Sequence, residues 1–251
     1  MKKLYLYPLW LRIWHWVNAI FFIILIATGI SLYYADESEI LVSFDLARLL
    51  HNISGVAATF LFLIYVIFNI KSKNYKYYIP KGPGLVERMF RQGHYYVYGV
   101  FKGEGHPFHP NKADKFNPLQ KVTYFVVMFI MFPIVIISGW FMFFPEFAPE
   151  EVLGMGGVWP MAISHMVFGF LLSVFMFAHI YLATLGETVF SNFKSMFTGY
   201  HYVHEEHVGK TNIDEQIEQG TDKRETLIKE KENDINPPDF KKNDDQDEKE
   251  Q

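Results

Sequence analysis

The chain has 251 residues, of which 50% are hydrophobic, carries a net charge of −4 and contains no cysteine. The lack of cysteine excludes disulfides, cysteine-ligated iron–sulfur clusters and thiolate zinc sites within the chain. The net charge itself excludes little, because the acidic excess lies near the C-terminus and long stretches elsewhere carry no charge.

Four long uncharged stretches predict four membrane-spanning helices. Each is long enough to cross the hydrocarbon core of a bilayer, which needs about 20 helical residues. The basic start of the chain is similar to a secretion signal, but its apolar run is too long for one, so we expect an uncleaved first span. The predicted fold is all-α, an integral membrane four-helix bundle, with spans at about residues 10–34, 48–70, 121–145 and 160–186.

Lysine and arginine are concentrated in one connection. Residues 71–121 contain ten lysines and arginines against three acidic residues, whereas the other two connections are acidic. By the positive-inside rule, we expect the loop at 71–120 and both termini in the cytoplasm.

Residues 85–101 of this loop predict an amphipathic helix. Apolar residues recur there at helical spacing, and the polar side is formed by Glu87, Arg88, Arg91 and Gln92. We expect this helix either to lie on the inner membrane surface or to form a small soluble cap.

The last part of the chain, residues 209–251, is rich in charged residues and almost free of aromatic ones. Such a composition cannot bury a hydrophobic core. We therefore predict a disordered acidic cytoplasmic tail that follows a membrane domain at residues 1–208.

Four histidines lie in the predicted spans: His15, His51, His165 and His179. Fourteen residues of α-helix rise about 21 Å and return to within about 40° of the starting direction, so His165 and His179 share one face of the fourth span. Because successive spans cross the membrane in opposite directions, His15 and His179 are expected at the same depth, near the inner side of the membrane. His51 and His165 are likewise expected at one depth, near the outer side.

Two imidazoles that face each other across a bundle core are typical of a bis-histidine haem site. One ring nitrogen binds iron and the other needs a hydrogen-bond partner. A porphyrin also needs a flat slot between helices, and small residues supply it: Gly55 follows His51 by four residues and Gly169 follows His165 by four. The pattern predicts two haems stacked about 20 Å apart, iron to iron, as an electron path across the membrane.

Three further residues are candidates for contact with a haem. Arg12 lies one turn before His15 and either pairs with a propionate of the inner haem or serves as a positive anchor at the inner surface. Gly29 in the first span and Gly139 in the third are expected to approach a ring at other depths.

Other uses of the histidines are less consistent with the pattern. A single intramembrane histidine is more often a packing hydrogen bonder, but four at paired depths favour haem. Zinc needs three or four protein ligands, and each depth offers only two histidines. Outside the spans, His201, His204 and His207 are spaced to hold a metal or to end an interfacial helix. A haem-free membrane anchor or metal transporter is the alternative from another class.

The sequence resembles the four-helix b-type cytochrome subunit, similar to bacterial cytochrome b561, of formate dehydrogenases, Ni/Fe hydrogenases and thiosulfate-type reductases. The resemblance covers residues 7 to about 200. It rests on "PLWLRIWHWVNA" around His15, on His51, on "HMVFGFLLSVFMFAHIY" with its fourteen-residue interval, and on "KFNPLQK" before the third span. It implies two haems b, exchange of electrons with menaquinone or ubiquinone near the inner haem, and a bacterial inner membrane location.

The same resemblance implies that Asn117 and Gln120, in "KFNPLQK", line the quinone pocket. Pro118 and Leu119 stand where formate dehydrogenase members have smaller residues. The competing role for Asn117 is to cap the start of the third span, a common position for asparagine.

The resemblance also implies an iron–sulfur or other redox subunit docked on the outer face. The function we expect is transfer of electrons between that partner and the quinone pool. We expect the spans to contact membrane lipid, and we expect no nucleic acid partner. A standalone b561-type quinol oxidase is the nearest alternative.

Overall fold

A computed structural model describes residues 2–34, 41–79, 84–108, 115–152, 154–186 and 188–203. Most of these residues are helical, and four helices are long and apolar enough to cross a membrane. The four spans, numbered in chain order, are Leu9–Tyr33, Phe44–Lys71, Pro118–Phe143 and Trp159–Ala183. The prediction of an all-α membrane bundle is confirmed, while the predicted tail at 209–251 lies outside the described residues.

The helices and strands follow one another along the described chain as β1 (Lys2–Tyr5), α1 (Leu9–Tyr33), α2 (Phe44–Lys71), α3 (Leu85–His94), α4 (Val100–Lys102), α5 (Pro118–Val126), α6 (Phe132–Phe143), β2 (Glu151–Val152), β3 (Met155–Gly156), α7 (Trp159–Ala183), α8 (Ser191–Thr198) and β4 (Tyr200–Val203). A 3₁₀ turn at Asn74–Tyr77 follows α2, and another at Pro145–Phe147 follows α6.

Two spans begin earlier than the hydropathy pattern predicts. The second starts at Phe44, because its charged first turn, with an ion pair of 3.7 Å between Arg48 and Asp45, is still helical. The third starts at Pro118, because the Asn117 side chain caps it. Charge or polarity at a helix end hides the boundary from a hydropathy scan, which detects only the hydrocarbon-spanning part.

The third span is not a regular α-helix. A π-helical turn at Val127–Met131 separates α5 from α6. Pro133 lies two residues after its end, and proline lacks the N–H that a regular helix would donate to the carbonyl four residues earlier. Such π turns are frequent where a helix is locally distorted for function.

The bundle packs as two antiparallel pairs, with the first span against the second and the third against the fourth. Its middle is aromatic: the ring centre of Phe132 lies 6.2 Å from that of Phe22 and 5.5 Å from that of Phe62. Phe132 and Leu172 are both buried there. Leu172 is midway in sequence between the two histidines of the fourth span, so this layer separates the two histidine depths.

The outer surface of the spans is apolar. Large side chains such as Ile20, Phe60 and Phe170 are at least 60% exposed. Contiguous apolar surface of this extent is unusual in a soluble monomer. Lipid contact explains it, as expected of a multi-pass membrane protein.

A small sheet, which the sequence analysis did not predict, joins the two ends of the described chain. β1 pairs with β4 in antiparallel register. The chain enters β4 through Gly199, whose φ is +83° and whose carbonyl accepts a hydrogen bond of 3.0 Å from Leu6 N. A Cβ at this position would lie 2.7 Å from Tyr7 O, so only glycine fits the close approach.

The predicted loop helix is present as α3, a π-helical turn at Tyr95–Gly99 and α4, and it turns apolar side chains away from the protein. Val86, Phe90 and Val97 are 64%, 75% and 78% exposed. Gln92, which the sequence analysis placed on the polar outer side, is fully buried instead. A soluble cap would bury its apolar side, so the observed orientation favours the membrane-surface alternative.

Candidate functional site

The four spans bring the predicted histidines together in two pairs. The ring centres of His15 and His179 lie 6.2 Å apart. Those of His51 and His165 lie 6.1 Å apart. Each pair joins one histidine from the first two spans to one from the fourth, which is the pairing predicted from depth.

Both separations fit a metal held between two imidazoles. An imidazole nitrogen lies about 2 Å from a metal that it binds and about 1 Å from its own ring centre, so the two ring centres come to about 6 Å apart. Among the described residues no group of three or more His, Asp or Glu side chains is placed to hold a metal ion. A two-histidine site is the arrangement expected for haem iron, whose other ligands come from the porphyrin.

His165 is oriented by the third span. Its Nδ1 lies 3.0 Å from the carbonyl oxygen of Val135 and 3.3 Å from Ser138 Oγ. A carbonyl oxygen only accepts, so Nδ1 must carry the proton. The neutral imidazole is therefore fixed as the tautomer whose Nε2 lone pair is free to bind a metal.

His51 is oriented by the first span in a similar way. Its Nδ1 lies 2.9 Å from Thr28 Oγ1. The Thr28 hydroxyl donates to the carbonyl of Ile24 at 2.7 Å, so its oxygen is left to accept from His51 Nδ1. Partners of this kind tune ligand basicity as well as ring direction.

Thr28 and Ser138 are functional candidates that sequence reasoning missed. A signal was present, because each hydroxyl residue is followed by a glycine, Thr28–Gly29 and Ser138–Gly139. A Cβ added at Gly29 would lie 3.5 Å from His51 Cε1, and one at Gly139 would lie 3.0 Å from His165 Cε1. These glycines therefore seat the histidine rings themselves, whereas the sequence analysis placed them at other depths.

Gly55 and Gly169 border open space. A Cβ added at either position would meet no atom within 4 Å. Both are half-buried and lie one helical turn from His51 and His165. This arrangement fits the flat slot that was predicted for a porphyrin.

The His15–His179 pair is surrounded by aromatic side chains. Phe175 stacks on His179 at 5.8 Å between ring centres, and Tyr124 lies 6.4 Å from it. His15 Nδ1 is buried and has no hydrogen-bond partner among the described residues. Buried polar atoms usually have a partner, so this nitrogen fits a site that a bound group completes.

Arg12 lies one turn before His15, as predicted, and it contacts the end of α8. Its guanidinium donates to the carbonyl of Phe197. A cation at a helix C-terminus satisfies an unpaired carbonyl and complements the helix dipole. The guanidinium has five N–H donors, so this contact leaves donors for a propionate.

Asn117 and Gln120 form a capping box at the start of the third span. Asn117 Oδ1 accepts from Gln120 N at 2.8 Å, and Asn117 N donates to Gln120 Oε1 at 3.1 Å. The Asn117 Nδ2 group donates to the Tyr96 hydroxyl at 2.9 Å. Capping is thus present, and within the described part of the chain one N–H of the Asn117 amide is left over for a ligand.

Phenol groups gather near this end of the bundle. Tyr7, Tyr78 and Tyr96 are each close enough to Tyr124 to interact with it electrostatically. Burial raises the pKa of Tyr7 to about 12 and raises the pKa of Tyr96 above its ordinary value. Both hydroxyls therefore stay protonated, and able to donate, at physiological pH.

The remaining histidine candidates are only partly described. His201 lies in β4, where its Nδ1 is 3.0 Å from Ser195 Oγ. His204 and His207 lie outside the described residues.

Comparison with known proteins gives one consistent result. The prokaryotic cytochrome b561 family matches residues 6–199. The protein named cytochrome YdhU of Escherichia coli is 34% identical over 200 residues, which are 80% of this chain and 75% of that protein. The cytochrome b556 subunit of formate dehydrogenase of Haemophilus influenzae is 27% identical over 181 residues, 68% of this chain and 67% of that protein.

The family match covers the whole four-span region and both histidine pairs. The matches imply haem b as the cofactor and electron transport as the general role, and the two-histidine geometry fits that cofactor. The chain belongs to the prokaryotic cytochrome b561 family of membrane cytochromes.

Proposed function

We propose that this chain is a di-haem b-type cytochrome subunit that transfers electrons across the bacterial inner membrane, between an outer redox partner and the quinone pool. The observation that carries the proposal is the presence of two bis-histidine pairs with ring centres 6.2 and 6.1 Å apart. His15 and His179 hold the inner haem, and His51 and His165 hold the outer one. Haem b, when bound, supplies reversible one-electron transfer.

The residues of the chain hold and orient the two centres. His165 and His179 are fourteen residues apart on one helix, a rise of about 21 Å, so the pairs lie toward opposite leaflets. Thr28 Oγ1 and the Val135 carbonyl fix the tautomer of the outer ligands, and Gly55 and Gly169 leave room beside them. Arg12 has donors available for a propionate of the inner haem.

We place the quinone site at the end of the bundle where the third span begins. Asn117 has an amide N–H there that no described residue accepts, with Gln120 one turn further along the helix. Tyr124 links this region to the ligand His179. Menaquinone and ubiquinone both present the carbonyl acceptors that these donors fit.

The outer partner is an iron–sulfur or other redox subunit. The relative named as a cytochrome b556 subunit of formate dehydrogenase supports an assembly of this type. Co-purification distinguishes it from a standalone b561-type quinol oxidase, which would be isolated without a second redox protein. The cytochrome family match disfavours the haem-free anchor or transporter.

Both termini and the loop at 71–120 are placed in the cytoplasm, with a membrane domain at 1–208 and an acidic tail at 209–251. The ten lysines and arginines of residues 71–121 support this orientation. A reporter fused after Glu205 is expected to be active only if it works in the cytoplasm, and one inserted near Glu39 only if it works outside. The opposite pattern would exchange every inner and outer assignment.

Purified protein tests the proposal directly. The pyridine haemochrome assay should give two haems b per chain, and a redox titration should resolve two centres. His51→Ala and His165→Ala should remove the same centre, whereas His15→Ala and His179→Ala should remove the other. Loss of the same centre in His51→Ala and His179→Ala would contradict the pairing.

A further inference from the structure

A cluster of polar side chains joins the loop helix to the start of the third span. Tyr96 lies in the π-helical turn Tyr95–Gly99 that continues α3. Its hydroxyl accepts from Asn117 Nδ2 at 2.9 Å. Tyr96 and Asn117 are both only half-buried, so a ligand can reach the pair.

The hydrogen bonds of the pair leave two donors unused. Asn117 Oδ1 is held by Gln120 N, which fixes the amide, and one N–H of Nδ2 is bound to Tyr96. Among the described residues the second N–H has no acceptor, and neither has the O–H of Tyr96, whose oxygen is the acceptor in its bond with Asn117.

Gln92 lies behind this pair and does not occupy the phenol proton. Its amide is fully buried, and its contact with the Tyr96 hydroxyl acts to lower the pKa of the phenol, as a donor to the phenol oxygen does. The contact is poorly aligned, because neither polar atom of the Gln92 amide meets the distance and angle of a regular hydrogen bond among the described residues. A donor to the phenol oxygen leaves the O–H proton of Tyr96 available.

The two donors lie on the side of the bundle that carries the His15–His179 pair. Tyr96 is close enough to interact electrostatically with Tyr124, whose ring centre is 6.4 Å from that of His179. A group bound at Tyr96 and Asn117 would therefore be separated from a ligand histidine by about one aromatic side chain.

We infer that the loop helix forms one wall of the quinone site and that the Tyr96 hydroxyl donates a hydrogen bond to a carbonyl of the quinone headgroup, beside the free N–H of Asn117. This inference rests on the proposed quinone function and adds to it a residue from outside the four spans. Tyr96 makes its contact with Asn117 from within the π turn, and such turns are frequent at functional sites.

The test compares Tyr96→Phe with Tyr98→Phe, a matched control in the same turn whose side chain is exposed. Haem is reduced chemically, and its reoxidation by menadione or decylubiquinone is followed at increasing quinone concentration. Loss of one hydrogen bond should raise the half-saturating quinone concentration of Tyr96→Phe about two- to tenfold. Tyr98→Phe should match the unaltered protein. A normal half-saturating concentration in Tyr96→Phe overturns the inference.

Reoxidation by ferricyanide, which needs no quinone site, should be unchanged in both variants. If the unaltered protein reacts with ferricyanide but with neither quinone, the proposed quinone function fails and this inference fails with it. A structural role for Tyr96 alone would change haem content or thermal stability and leave the half-saturating quinone concentration as it was.

Photolabelling of the unaltered protein with an azidoquinone provides a measurement that does not depend on how the variant folds. Trypsin cleavage after Arg91 and Lys102 releases residues 92–102, and cleavage after Lys115 and Lys121 releases residues 116–121. Label on both peptides supports the inference. Label confined to peptides of the spans overturns it.

Discussion

The two glycines that seat histidine rings differ in how closely they approach them, and this difference predicts unequal effects of alanine. A Cβ at Gly139 would lie 3.0 Å from Cε1 and 3.3 Å from Nδ1 of His165. A Cβ at Gly29 would lie 3.5 Å and 4.0 Å from the same atoms of His51. Relaxed contacts between heavy atoms fall at about 3.5–4.0 Å. Gly139→Ala therefore requires a shift of a few tenths of an ångström, and Gly29→Ala requires none.

His165 has little freedom to move by that amount. Its Nδ1 is held by Val135 O and Ser138 Oγ, and metal–ligand distances tolerate only about 0.2 Å. Overpacking of this kind costs about 1–3 kcal/mol. We expect Gly139→Ala to lose the haem of the His51–His165 pair or to shift its midpoint potential, while the other haem is kept.

The assay is haem content by pyridine haemochrome, combined with a redox titration that resolves the two centres. Gly29→Ala is the matched control and should keep both haems. Alanine also favours a helix over glycine by about 0.5–1 kcal/mol, so thermal stability alone would not reveal the local effect. Full haem content and an unchanged potential in Gly139→Ala, or equal damage in Gly29→Ala, would refute the steric reasoning.

Three further predictions concern the hydrogen-bond partner of His51, the cap of the third span and the loop helix α3. Thr28→Val should keep the fold but weaken haem retention or shift the potential of the outer centre, because His51 Nδ1 loses its acceptor. An unchanged potential in a redox titration would show that Thr28 does not act on this ligand. Asn117→Asp should keep the helix cap and both haem spectra, since Asp caps as well as Asn, yet slow haem reoxidation by quinone because it has no amide donor. Normal quinone kinetics would leave capping as its only role. A spin label on Phe90→Cys, introduced into a chain without cysteine, should be accessible to oxygen and protected from a water-soluble relaxant in bilayers, whereas one on Glu87→Cys should show the reverse. Equal aqueous accessibility at both sites would contradict membrane contact by α3.

Local patterns in the sequence were sufficient to predict where the four spans lie and how deep in the membrane each histidine is. The length of an uncharged stretch determines whether it can cross the bilayer, and the fourteen-residue interval of His165 and His179 determines that they share a helix face. Once four antiparallel spans are given, the threading alone matches His15 with His179 and His51 with His165. The cap by Asn117 was also foreseen, as the competing role for that residue, whereas the reciprocal bond from Gln120 was not predicted.

Contacts between distant residues were decided only by the tertiary structure. Thr28 meets His51, and Ser138 meets His165, through helix rotations that no local period specifies. The same rotations place Gly29 and Gly139 against the histidine rings, where sequence reasoning had put them at other depths.

The loop shows the same limit of sequence reasoning. Hydrophobic periodicity predicted the helix but could not determine which side faces the protein. That side is decided by the bundle surface, which takes up the Gln92 side chain and brings Tyr96 to Asn117. The pairing of β1 with β4 likewise joins strands at opposite ends of the described chain. Sequence patterns fix what each segment can form, whereas the choice of partners depends on packing between segments that are far apart in the chain.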